Sequence, residues 1–207
     1  MNTSSAESDN AKAMERLSGA IIGSRNERGI PSAVFIEAAK TFLDSLGVTD
    51  AMPLMGAMQQ LYSKYKFMEA SFQKSRESLK AKLPDTEKDL EMLQLLMSKQ
   101  EAKQSIHTKF NLADNIYVKA AVDPSIGNVC IWLGANVMVE FSYTEALELL
   151  QNNIATAKAQ MNQIDSDLGF LRDQIITTEV NMARVYNYDS KRRRQDKTIT
   201  APAAQSN

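Results

Sequence analysis

Apolar residues recur in steps of three and four along two long stretches of this 207-residue chain, and that spacing constrains the fold more than any other feature. In the second stretch, Leu147, Leu150, Ile154, Ala157, Met161, Ile164, Leu168, Leu171, Ile175, Thr178, Met182 and Val185 keep the rhythm without a fault. Such a run puts one apolar stripe on a helix, which must be covered by another helix. The first stretch runs Leu54, Met58, Leu61, Tyr65, Met68, Phe72, Ser75 and Leu79, then resumes at Leu83, Thr86, Leu90, Leu93 and Met97. The step from Leu79 to Leu83 is four where three is due, and Pro84 adjoins it. This reads as a kink with local re-phasing rather than as a helix end. The spacing predicts helices over 51–105 and 143–187. The first is capped by Asp50 with Pro53 in its first turn, and the second opens on the capping box Ser142-Tyr143-Thr144-Glu145. Eight glycines and five prolines leave few turns, in keeping with a few long elements.

Residues 108–142 change period. Short β-branched and aromatic runs are broken by Asp123-Pro124-Ser125-Ile126-Gly127-Asn128 and by Gly134-Ala135-Asn136. Four short strands in two β-hairpins are expected. Hairpins of this length are marginal alone, and apolar unpaired edges invite association. The expected fold class is therefore mainly α. It is a long antiparallel coiled-coil hairpin with two β-hairpins at the bend, the hairpins completing a sheet or β-barrel with other subunits. Phe110, Ile116, Val122, Val129, Ile131, Leu133, Val137, Val139 and Phe141 are the candidate assembly residues. A short amphipathic helix is expected over 33–46, after Ser32 and before Gly47. Residues 1–28 and 188–207 are expected to be disordered tails flanking one domain, 29–187, with no large globular core.

Several function classes find no support. A net charge of −1 argues against general nucleic-acid binding, which needs a basic face. The longest apolar stretch, 129–139, is too short to span a bilayer, and the polar N-terminal residues carry no signal-peptide pattern. His107 is the one histidine and Cys130 the one cysteine, so neither a two-histidine metal site nor a disulfide framework is expected. Cys130 lies in an apolar strand and is expected to be a buried structural thiol. No catalytic group, cofactor or metal is expected. A cytoplasmic location fits the lone thiol.

The chain resembles the alpha-class subunits of prefoldin. The resemblance rests on Gly29-Ile30-Pro31, on Tyr62-Ser63-Lys64-Tyr65-Lys66-Phe67-Met68-Glu69, on Ile131-Trp132-Leu133-Gly134-Ala135-Asn136-Val137-Met138, on Phe170-Leu171-Arg172-Asp173-Gln174, and on 177–187. It covers about residues 29–194, and its last three segments are specific to one subunit type. Tyr188 departs from the pattern, where Trp is expected. The resemblance implies a heterohexamer containing one further alpha-class and four beta-class subunits. Its coiled-coil tentacles would hold unfolded actin and tubulin without ATP and pass them to the cytosolic chaperonin.

Off-seam apolar residues carry the candidate client site. Met55, Tyr62 and Phe67 on the first helix, and Ile176, Val180, Tyr186 and Tyr188 on the second, lie outside the a/d stripe. Either the short helix and long basic stems cover them, or they form, with Met58, an apolar grip near the tip of the arm. The basic run Lys191–Arg194 reads as a solubilising tail, a nuclear-import signal or a chaperonin contact. The rival function is a structural coiled-coil tether or scaffold that binds one folded partner.

Overall fold

The computed structural model describes residues 15–48 and 50–200. The chain divides into two compact units, one comprising residues up to 73 together with those from 166 onward, and the other comprising 74–165. In order, the elements are a helical stretch α1 (15–20), β1 (Ile22–Arg25), β2 (Pro31–Ala33), α2 (Ala39–Leu46), α3 (Met52–Glu101), β3 (Ile106–Ala113), β4 (Ile116–Val122), a 3₁₀ turn (Pro124–Ile126), β5 (Asn128–Gly134), β6 (Val137–Ser142) and α4 (Tyr143–Thr200). The two long helices each contribute to both units. No described helix is long and apolar enough to cross a membrane.

The seams behave as the spacing predicts. All twelve positions of the α4 stripe are buried or half-buried. On α3, Leu54, Met58, Leu61, Tyr65 and Leu93 are at most 4% exposed. The helix runs through Pro84 without a break. In the second unit, Arg76 pairs with Asp165 at 2.6 Å and Glu87 with Lys158 at 2.7 Å, which sets α3 and α4 antiparallel there. Asp50 accepts the Met52 N–H at 3.2 Å at the start of α3. The capping box closes as expected, with the Ser142 N–H donating to Glu145 at 3.0 Å and the Ser142 hydroxyl at 2.8 Å. Those two bonds, the hydroxyl's first, hold the Glu145 carboxyl below the usual carboxylate range.

The first unit differs from the expectation of a disordered N-terminal tail to residue 28. Residues 15–28 are folded, and Leu17 and Ile21 are 4% and 2% exposed. They join Ile30, Ile36, Ala39 and Leu43 in one core with Leu54, Met58, Leu61, Tyr65, Leu171, Ile175 and Val185. The apolar residues of this segment are too few, and change element too soon, to show a period. Residues 1–14 lie outside the described residues.

The helix expected over 33–46 is shorter, because residues up to Ile36 are held extended by bonds to α4 side chains. Its C-terminal end is as expected, with Gly47 at φ 66° in the left-handed region. At the other end of the chain, α4 continues past 187 to Thr200. Asp189, only 8% exposed, binds Arg193 at 2.7 Å and Arg192 at 3.4 Å one turn on, and no Gly or Pro interrupts the chain before Pro202.

In the second unit the two expected hairpins form, β3 with β4 and β5 with β6, as separate two-stranded antiparallel sheets. Their tight turns place Asn115, and Ala135 with Asn136, at positive φ.

Candidate functional site

The first candidate surface lies in the first unit. Ile176, Val180 and Tyr186 are 51%, 37% and 63% exposed, as a grip requires. Met55, Tyr62 and Tyr188 are only half-buried and pack on the core. Met58 is 1% exposed and drops out of any accessible face, because its seam position points it between the helices. The Tyr62 hydroxyl donates to Glu179 across the helix pair, which raises its pKa. A cleft of about 520 Å³ is lined by Met52, Met55, Tyr186, Asp189, Ser190, Arg193 and Arg194. Phe67, at 78% exposed, and Met52, at 57%, add apolar surface. Phe35 is also exposed, with the Arg184 guanidinium 4.6 Å above its ring.

The N-terminal segment binds this unit by its main chain. Gln174 accepts the Ala33 N–H at 2.9 Å. Asn181 accepts the Ile36 N–H at 2.9 Å and donates to the Val34 carbonyl at 2.7 Å. Arg184 donates to the carbonyls of Ile36 and Glu37, and the Tyr65 hydroxyl to that of Pro31, all at 2.9 Å. Arg28, from the turn between β1 and β2, reaches the buried Asp167 at 3.2 Å and lies 5.9 Å from the centre of the Phe72 ring. Neither Asn181 nor Asp167 stands out in the sequence. Asp167 precedes a seam leucine, and Asn181 precedes a seam methionine, so both read as solvated flank positions.

The second surface is the β region. Val129, Ile131 and Phe141 are half-buried in one cluster with Leu90, Leu93, Leu96, Met97 and Leu147, and Val139 is half-buried. Val129, Ile131 and Phe141 therefore cover the chain's own helices. Leu133 and Val137, nearer the turn and in the same phase, stay open at 52% and 48%. Phe110, Ile116 and Val122 are exposed, and Leu112, Tyr117, Val118, Ile126, Trp132 and Met138 are exposed beside them. Trp132 and Met138 sit directly opposite one another across the β5–β6 ladder. Alternation arguments pick one face of each strand, so they pass over these residues. Both hairpins thus present a broad apolar area and unpaired edges.

Cys130 is exposed, not buried, because it alternates with Val129 and Ile131 and faces away from the helices. His107 is exposed, 3.5 Å from the Ser105 hydroxyl. Among the described residues no group of three His, Cys, Asp or Glu could hold a metal ion.

The family model described as prefoldin subunit matches residues 65–188. The chain is 45% identical over 174 residues to prefoldin subunit 3 of Mus musculus, covering 84% of this chain and 88% of the relative, and the same holds for prefoldin subunit 3 of Homo sapiens. A probable prefoldin subunit 3 from Schizosaccharomyces pombe is 39% identical over 176 residues, covering 85% of this chain and 99% of the relative. A chain from a filamentous PFD of Methanocaldococcus jannaschii superposes with a TM-score of 0.46 at 16% identity, over 57% of this chain and 95% of that one. With its two seams, its paired hairpins and this degree of identity along most of its length, the chain belongs to the prefoldin subunit family.

Proposed function

We propose that this co-chaperone family member is the alpha-class subunit of a heterohexamer, assembled through its β-hairpins with one further alpha-class and four beta-class subunits. The hexamer holds unfolded actin and tubulin without ATP and delivers them to the cytosolic chaperonin, in the cytoplasm. Lys191–Arg194 is its candidate nuclear-import signal. The observation that carries the assembly is the pair of separate two-stranded sheets, whose exposed residues include Phe110, Ile116, Tyr117, Trp132 and Met138. Two-stranded sheets with apolar, unpaired edges are unfinished units that call for strands from elsewhere. A tether would need only the helix pair and has no use for such a surface.

Holding follows from the exposed apolar residues of the first unit. Each contact is weak, and several arms acting on one client add by multivalency. The test compares hexamers containing this chain with hexamers in which Met52, Ile176, Val180 and Tyr186 are all changed to Ser. These side chains lie off the seam, so assembly should be normal. Suppression of denatured-actin aggregation should weaken severalfold. Unchanged suppression by the quadruple variant would place the grip elsewhere. No suppression by the wild-type hexamer would favour the tether.

A further inference from the structure

The first unit holds residues 31–37 in a way that resembles the binding of a ligand. The segment is extended, and Tyr65, Gln174, Asn181 and Arg184 all bond to its main chain. Asn181 takes both a carbonyl and an amide two residues apart, a pattern that any extended peptide offers and no particular sequence is needed to supply. The deepest side-chain anchor is Ile36, 1% exposed. Asn181 is itself 3% exposed. The segment itself buries that amide, and the paired bonds to Ile36 and Val34 fit an occupant with a free extended backbone. On the same helix, Ile176 and Val180 leave apolar surface uncovered.

We propose that the groove formed by Tyr65, Gln174, Asn181 and Arg184 is a binding site for an extended polypeptide segment carrying an aliphatic residue at the Ile36 position, and that residues 31–37 are its occupant in cis, exchanged for a segment of an unfolded client. The proposal rests on the chaperone reading above and assigns that activity a defined site. Exchange replaces like with like. A client segment would restore the bonds of Tyr65, Gln174, Asn181 and Arg184, refill the anchor pocket and pair with β1 where β2 does now. Recognition through the main chain suits clients that share no sequence. Ile176 and Val180 then lengthen the apolar contact.

The test is hydrogen exchange in the assembled wild-type hexamer, with and without chemically denatured actin. Client binding should lower the protection of the Ala33 and Ile36 amides about tenfold or more, while the β5–β6 ladder amides stay unchanged. A hexamer that suppresses actin aggregation with no change at Ala33 and Ile36 overturns this proposal and leaves the chaperone reading intact. A hexamer that holds no actin overturns both. A second measurement uses Ile36→Asp to loosen the occupant and a fluorescent peptide of residues 30–38 as the probe. The variant hexamer should bind the peptide at least about tenfold more tightly than wild type, and Asn181→Ala in that background should remove the gain. Equal peptide binding by wild type and both variants counts against the groove.

Discussion

Tyr65 provides a sharp test of how the N-terminal segment is held, because one atom both ties the segment down and titrates. Its side chain is fully buried and its hydroxyl donates to the Pro31 carbonyl at 2.9 Å. Burial pushes the phenol up from 10.0 to about 12. A raised folded-state pKa means that the unfolded chain releases this proton first. The stability contributed by the neutral phenol is then complete below pH 10 and falls as pH rises from there toward 12. The slope is about 1.4 kcal/mol per pH unit, so the full loss is about 2–3 kcal/mol. Tyr65→Phe removes the hydroxyl and with it this dependence, at the cost of one hydrogen bond, about 1 kcal/mol. At about pH 8 the variant should be the less stable by that amount, and by about pH 11 the difference should have vanished. Urea midpoints followed by far-ultraviolet circular dichroism measure the gap. Tyrosinate absorbance, wild type minus variant, isolates the Tyr65 titration from the other five tyrosines. A Tyr65 that ionises with the exposed tyrosines, or a gap that stays constant with pH, would refute the account of a buried, bonded phenol.

Ile131→Asp places a carboxylate in the cluster that seats β5 on the helices and should block incorporation into the hexamer while the helical circular dichroism persists; normal hexamer yield would show that assembly does not need this seating. Ser142→Ala removes the cap of α4 and should lower stability by about 1 kcal/mol in thermal unfolding. In the wild type, the support that Glu145 draws from Ser142 is present at neutral pH and lost as pH falls through its lowered pKa, so acid titration of the Ser142→Ala variant should show a shallower loss.

Much of this protein was legible in one dimension. The heptad spacing alone located both long helices and their facing stripes, because a step of three and four leaves only one way to gather those residues on a helix. Pro84 was rightly read as interior, since the apolar rhythm resumes beyond it. The hairpins followed from β-branched runs between turn formers, and the Ser142–Glu145 cap from its four-residue pattern. These are local signals, and local backbone geometry satisfies them without reference to the rest of the chain.

The tertiary structure decided what those elements touch. Residues 15–28 have no sustained period, yet Leu17 and Ile21 are among the best buried in the molecule, as are Ile30 and Ile36 beyond them. Their burial depends on partners more than a hundred positions away. Residues 33–38 lost their helical reading for the same reason, since carbonyls that would have accepted along a helix accept instead from Asn181 and Arg184. Met58 passed from grip to core, and Cys130 from core to surface, because exposure depends on what covers a face and not on the residue that occupies it. A seam dictates that a helix must be covered. Only the folded chain shows that its own N-terminal segment supplies part of the cover, bound by the main chain to Tyr65 of the seam and to Gln174, Asn181 and Arg184, which lie off it.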